Sequence, residues 1–488
     1  MNRRTATLLP FLGIALLVGF LAIRPDSFWI DEANSAVKAT QPDFGSFAAK
    51  MKADRGSDLQ MPGYMLALWS WEKVFGCSEK ALRSLNILFF AFAMGIVAVG
   101  MNGPTSSKWV FLILACTSAY VWAYLSEARP YALQFFGATC IAVAWNNLCF
   151  FADTKTSAGD WMLATGGLLV LFASSLSTVF FVGGFGLAFL WLLWSRPKIP
   201  FLRKAPLPLV CCYIFFLSLI FLGFYYLWSL SLGAKASAVG RTNLSSLLFS
   251  FYEMAGALGL GPSRQSLRDD AFAAFACFWP QLGIYFFAFA WWIWALWTGS
   301  FKPFPHNLSF SPLLLMSLLA AGALLIAGIV APFRLTGRHW MPIFPFILLW
   351  ASNRACKAWQ TRRGVTVITS AVLIIVSLVS CLTLRFSSRH AKDDYRGAVR
   401  YLQANQKSGD VIWWAADAAG ARFYGLGNAE IMMSPSLSSL ESLPRPDWIV
   451  LSKPDIYDGN GAIRNYLAKQ HSEQVTGFQS FVLYRILK

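Results

Sequence analysis

At 488 residues, 56% hydrophobic and only 13% charged, with 42 Phe and 21 Trp, the chain has too little polar residue to clothe a soluble globule of its size. The formal net charge of +17 does not signal nucleic acid, because Lys and Arg fall in short clusters between apolar runs, as in cytoplasmic loops held by the positive-inside rule. The nine cysteines (Cys77, Cys116, Cys140, Cys149, Cys211, Cys212, Cys277, Cys356 and Cys381) lie in or beside apolar segments with no CxxC or Cys/His ligand spacing, so they read as buried small hydrophobes.

The apolar runs are continuous for about 20 residues and do not alternate, so they predict membrane helices, in which every backbone amide is satisfied within the segment. The N-terminus, MNRRTATLLPFLGIALLVGFLAIRPDSF, has the charged start and apolar core of a signal peptide. Arg24-Pro25 stands where small residues should mark cleavage, so the segment reads as a retained anchor that starts inside. Spans are predicted at 5–23, 80–101, 108–125, 131–151, 161–175, 177–194, 206–231, 271–297, 311–330, 339–353 and 365–385. The run 62–76, PGYMLALWSWEKVFG, is short and carries Glu72 and Lys73, which suits an interfacial helix. Leaving it uncrossed puts the basic segments 195–204, 299–307 and 353–364 on the cytoplasmic side, whereas counting it would invert all three. Eleven crossings follow. The exterior then receives a first loop (25–79), the 126–131 turn, the 232–270 loop, the 331–338 turn and the tail from 386.

The 232–270 loop has polar ends and an apolar middle, and reads either as an ordinary interfacial helix or as a segment gating the acceptor path. In the tail, DDYRGAVRYLQANQKSGDVIWW predicts an amphipathic helix, a Gly-Asp turn and a strand. RPDWIVLSKPD repeats turn then strand, and FQSFVLYRIL ends the chain as a strand. The fold class is therefore a membrane all-α bundle of about eleven transmembrane helices over 1–385, followed by a small soluble α/β domain over 386–488.

Two adjacent carboxylates, Asp31 and Glu32, open the first exterior loop in the apolar setting FWIDEAN. Desolvation and mutual repulsion make one of them a candidate base, and a solvated acidic loop end is the alternative. Arg129 and Arg338 each sit in a short exterior turn between two spans, against the positive-inside bias. A guanidinium there either forks onto phosphate oxygens or snorkels to lipid headgroups.

Four stretches, in order along roughly the first 385 residues, carry a family resemblance: FWIDEANSA (28–36), QMPGYMLALWSWEKVFGCSEKALRSLNILF (60–89), YLSEARPYALQFF (124–136) and GRHWMPIFPFILLW (337–350). Together they resemble the GT-C superfamily of polytopic glycosyltransferases, in the bacterial branch related to protein O-mannosyltransferases and the aminoarabinose transferase of lipid A. The resemblance implies transfer of a sugar, with inversion, from a polyprenyl-phosphate donor to a lipid, glycan or protein acceptor at the periplasmic face of a bacterial inner membrane. It gives Asp31 the role of base, with Glu32 beside it to tune it or to share a divalent cation; no third ligand is evident, and metal dependence stays open.

Arg129 and Arg338 become the donor-phosphate ligands, with hydrogen bonds from Tyr131 and His339. Glu127 either orients Arg129 or is a solvated turn residue. Arg83 and Lys52 either meet phosphate or acceptor or are surface charge. Two departures bear on donor placement: Gln60-Met61-Pro62-Gly63 stands where relatives carry a cation before a Pro-Pro pair, and SSLSTVFF (174–181) where many show a Thr-His-Tyr-like turn. Two rival classes share the architecture, a lipid-linked glycan transporter or flippase and a surface-polysaccharide ligase or polymerase. A transporter would keep ionisable groups at the bilayer midplane and often show repeated halves, and neither is evident.

Overall fold

A computed structural model describes residues 3–150, 158–195, 206–233, 241–298, 311–330, 334–360 and 364–487. Nearly all of the 195–204 segment and all of 299–307 lie outside the described residues, as do 234–240, 331–333 and 361–363 of the other predicted loops.

Each of the eleven predicted spans is mainly helical where it is described. Among the described residues six helices are long and apolar enough to cross a membrane: Glu79–Gly100, Tyr131–Phe150, Tyr213–Ser231, Ala271–Thr298, Pro312–Val330 and Val367–Phe386. A seventh is the bent pair Thr105–Cys116 and Ala119–Leu125, whose axes differ by 62°. The break has a local cause. Thr117 Oγ1 donates back to the Ile113 carbonyl at 2.8 Å, and Ser118 caps a new helix by accepting from the Val121 amide. Thr7–Ala22, Ala158–Ser174 and Leu176–Ala188 are apolar but shorter.

The chain divides into two compact units. The first comprises residues 1–24, 48–68 and 83–387 and holds the helical bundle. Small residues let its helices approach closely. A Cβ added at Gly167 would lie 2.6 Å from the Gly137 carbonyl oxygen and 2.8 Å from Ile141 Cγ1, so the Ala158–Ser174 and Tyr131–Phe150 helices touch backbone to backbone. That is the packing expected where no hydrophobic drive separates protein from lipid and van der Waals contact must hold helices together.

The second unit comprises 25–47, 69–82 and 388–488. Its five-stranded mixed sheet runs in the order β2-β1-β3-β5-β4, with β1 Ile412–Ala415, β2 Ala429–Ile431, β3 Trp448–Ser452, β4 Ser472–Phe478 and β5 Phe481–Ile486. β1 pairs in parallel with β2 and β3, while β5 is antiparallel to β3 and β4. Central β1 and β3 are buried along their whole length, so both faces of each must be covered. Trp414, Val450 and Leu483 pack under the Tyr395–Asn405 helix through Tyr395, Val399 and Leu402. Trp413, Ile449 and Leu451 pack on the other face against Leu440, Ile463 and Leu467. The adjacent tryptophans point to opposite layers because side chains alternate along a strand.

Gly167→Val should lower the thermal midpoint in detergent by an amount equivalent to about 1–3 kcal/mol of overpacking. Gly166→Val, where an added Cβ meets nothing within 4 Å, is the matched control and should leave the midpoint unchanged.

Candidate active site

The acidic pair lies at the start of the Ile30–Ala39 helix, in the second unit. Trp29 is its extended N-cap, and Glu32 at the third helical position accepts from the Trp29 amide at 3.4 Å. A carboxylate there satisfies an orphan amide and meets the positive end of the helix. Glu32 is fully buried, and its Oε2 also accepts from Lys392 Nζ at 2.8 Å. This ion pair sets an opposite charge against the buried carboxyl group. Asp31, one residue earlier, is half-buried. The adjacent carboxylates therefore have different surroundings: one neutralised inside, one at the surface of its unit.

Sequence reasoning missed Asp417. It caps the Ala418–Phe423 helix, accepting from the amides of Ala419 at 3.0 Å and Gly420 at 3.1 Å. This short helix packs on the acidic one: Phe28 and Phe423 meet edge to face at 5.1 Å, and Tyr424 accepts from the Phe28 amide at 2.8 Å. Asn34 hydrogen-bonds the Asp417 carboxylate, and Asp31 is close enough to repel it. Burial, aided by that repulsion, pushes the Asp417 carboxyl above its ordinary range, against the two amides and Asn34, which favour the charged form. The Tyr424 hydroxyl donates to Glu79, which also pairs with Arg396 at 2.9 Å, so the Ser-Glu turn is fixed within the same unit.

The arginine-bearing turns lie in the first unit. Arg129 is buried, its Nη1 2.7 Å from Asp58 Oδ1 and its Nη2 donating to Ser57 Oγ at 3.4 Å. Asp58 is likewise buried and was not singled out in the sequence. Glu127 is buried and ion-paired with Arg264 at 3.1 Å, rather than solvated. Asn86 holds the turn's backbone by donating to the Leu125 carbonyl at 3.2 Å and to that of Glu127. Tyr131 lies edge-on to Tyr124, with centroids 5.0 Å apart.

Arg338 is half-exposed at the start of the 3-10 helix Gly337–Ile343. His339 closes a capping box there: its Nδ1 accepts from the Thr336 amide at 3.0 Å, leaving Nε2 to carry the proton of the neutral ring. Gly337 seats this turn. Its carbonyl accepts from Tyr120 Oη at 2.6 Å, and an added Cβ would lie 1.9 Å from Glu253 Oε2. Glu253, from the 232–270 loop, pairs with Arg264 Nη2 at 3.0 Å and accepts from Tyr124 Oη at 3.2 Å. Burial pushes its carboxyl above the ordinary range, offset by the Arg264 guanidinium.

Arg83 is fully buried, not a surface charge, and donates to the Arg24 carbonyl at 2.8 Å. Lys52 is exposed. Both family departures occupy packed backbone. A Cβ at Gly63 would lie 2.8 Å from the Ala173 carbonyl oxygen, and Ser174 and Thr178 hydroxyls donate to the Leu171 carbonyl at 2.6 and 2.7 Å. Among the described residues no three His, Cys, Asp or Glu side chains converge in a set able to hold a metal ion.

No protein-family model and no curated protein matches the sequence. Solved structures do match in fold. ArnT from Cupriavidus metallidurans, in a crystal structure bound to undecaprenyl phosphate, is similar with a TM-score of 0.57 at 12% identity, covering 98% of each chain. Its apo crystal structure gives the same values. The arabinofuranosyltransferase AftD from Mycobacteria is similar with a TM-score of 0.50 at 12% identity, covering 100% of this chain and 40% of AftD. The chain thus has a GT-C-like fold along nearly its whole length, and its apolar helices make it a multi-pass membrane protein.

Asp58→Ala removes the carboxylate that faces buried Arg129 and should cost on the order of 3–5 kcal/mol, read as a lower unfolding midpoint in detergent. Asp417→Asn keeps the capping oxygen but cannot ionise. Because the folded pKa of Asp417 is raised, its contribution to stability is complete below the unfolded value of about 3.9 and is lost as pH rises through the folded one. The midpoint of the Asn variant relative to wild type should therefore improve as pH rises from about 4 and level off once Asp417 has ionised in the folded state; a difference that does not change with pH would contradict the assignment.

Proposed function

We propose that this protein is an inverting glycosyltransferase that moves a sugar from a polyprenyl-phosphate donor to a lipid, glycan or protein acceptor at the periplasmic face of a bacterial inner membrane. The observation that carries the reading is agreement of fold, over 98% of both chains, with a protein crystallised with undecaprenyl phosphate. The four ordered motifs support it independently of the fold. In this reading all eleven apolar segments cross the membrane, the N-terminus is cytoplasmic, residues 1–385 carry the transferase domain and residues 386–488 form a periplasmic domain.

Asp31 is the base. The acceptor hydroxyl oxygen attacks the anomeric carbon from the face opposite the phosphate, a carbon–oxygen bond forms, and the bond to the phosphate oxygen breaks with its electron pair leaving on that oxygen. Asp31 takes the hydroxyl proton. The stereochemistry inverts because a single displacement occurs. Phosphate is a good leaving group without protonation, so one carboxylate suffices where glycoside hydrolysis needs two. The contrast between the two acids supports this division of labour: Glu32 is committed to Lys392 and to the helix cap and so acts as a positioning residue, while Asp31 lies nearer the surface.

Arg129 and Arg338 bind the departing lipid phosphate, whose charge grows as the bond breaks, so fixed guanidinium groups favour the transition state over the ground state. Tyr131 and His339 assist by hydrogen bonding, and Arg83 and Lys52 play supporting parts, Arg83 by bracing the Arg24 backbone.

With a panel of radiolabelled polyprenyl-phosphate sugars and membrane extract as acceptor source, Asp31→Asn should reduce transfer about 100- to 10,000-fold while donor binding persists. Undiminished transfer by that variant would remove the base from the mechanism.

A further inference from the structure

The 232–270 loop contributes one residue that touches both arginine-bearing turns through their anchors. Arg264 places Nη1 3.1 Å from Glu127 Oε1 and Nη2 3.0 Å from Glu253 Oε1. The two carboxylates are 2% and 1% exposed, whereas Arg264 is 49% exposed. Glu127 stands two residues before Arg129, and its carbonyl accepts from the Arg129 amide at 2.7 Å. Glu253 presses its second oxygen against Gly337, the residue before Arg338. The path from one arginine to the other runs Arg129, Glu127, Arg264, Glu253, Gly337, Arg338. Every link in it is a contact within the first unit.

The chemistry demands this particular side chain. Two buried carboxylates near one another repel, and Glu127 opposes ionisation of Glu253. A planar guanidinium presents separate N–H groups to both at once, while an ammonium is a point charge on a flexible stem and cannot hold that fork. Without it the two carboxylates would repel each other unopposed, and movement of either shifts a turn.

We infer that Arg264 is a positioning residue for the donor phosphate, setting the spacing and orientation of the turns that carry Arg129 and Arg338. The inference rests on the phosphate roles given to those two arginines above. It also gives the 232–270 loop a function other than lying at the interface or gating the acceptor: it clamps the donor site from outside.

Binding of radiolabelled undecaprenyl phosphate to the full-length protein in detergent tests this, comparing wild type with Arg129→Gln, Arg338→Gln, Arg264→Gln, Arg264→Lys and the combinations. Arg264→Gln should weaken binding about tenfold, the scale of one charge-assisted hydrogen bond. Arg264→Lys should recover only part of that. Added to the Arg129→Gln/Arg338→Gln double variant, Arg264→Gln should have no further effect, since it acts through those residues; a general loss of structure would instead add in full.

Wild-type binding by Arg264→Gln, or full additivity, overturns the inference while leaving the phosphate roles intact. Wild-type binding by both single arginine variants overturns the phosphate roles, and the inference with them. If Arg264→Gln does not elute as a folded protein, Arg264→Lys carries the same comparison, and full recovery by lysine is the overturning result.

Discussion

A charge withdrawn from water must be met by an opposite charge, and in a chain this apolar that requirement organises everything outside the helix packing. Glu32 meets Lys392, Asp58 meets Arg129, Asp393 meets Lys453, and Glu127 and Glu253 share Arg264. In each of these links except Glu253–Arg264, which lies within the 232–270 loop, the partners come from distant parts of the sequence. The pairs therefore do more than neutralise: each ties the segment that carries the acid to the segment that carries the base. The 126–131 turn and the 337–343 helix meet these pairs at Glu127 and Gly337, beside the buried Ala128, Trp340, Met341 and Ile343, with Tyr120, Tyr124 and Asn86 satisfying further polar groups.

The tail is drawn into the same logic. Its sheet is a conventional layered core, but the Ala418–Phe423 helix and the approach to Tyr395 carry Asp417, Tyr424 and Lys392, which face residues 28–34 and Glu79. The acidic helix thus shares its hydrogen bonds and part of its apolar packing with the tail, Ile30 lying against the sheet's core cluster. Under the proposed function, a domain without catalytic residues of its own still decides the orientation and charge environment of the base.

Much of the architecture was legible from composition. Continuous apolar runs specify helices because a lipid-spanning backbone must be satisfied within a helix or a closed barrel, and barrel strands would alternate; each predicted span is mainly helical where it is described. The Gly-Asp turn before IWWA and the RPDWIVL segment marked β1 and β3, whose buried β-formers leave few alternatives. β2 and β4 were not foreseen: β2 has three residues, and β4, SEQVTGF, is mostly polar and exposed, so neither displays an apolar pattern. The terminal FQSFVLYRIL proved to hold the end of β4, a turn with Ser480 at φ +65°, and β5.

The acids and arginines stood out in the sequence because their local settings are unusual: adjacent carboxylates after an apolar run, and arginines in exterior turns. The same test passed over Asp58, Glu253, Arg264 and Asp417, none of which has an adjacent carboxylate or stands in a short turn between two predicted spans. What the chain determined by itself was its partition between lipid and water, because that depends on the transfer free energy of each segment alone. Which carboxylate finds which cation was decided only by the tertiary structure, because such a pairing is a relation across tens or hundreds of residues and leaves no periodicity in either partner's neighbourhood.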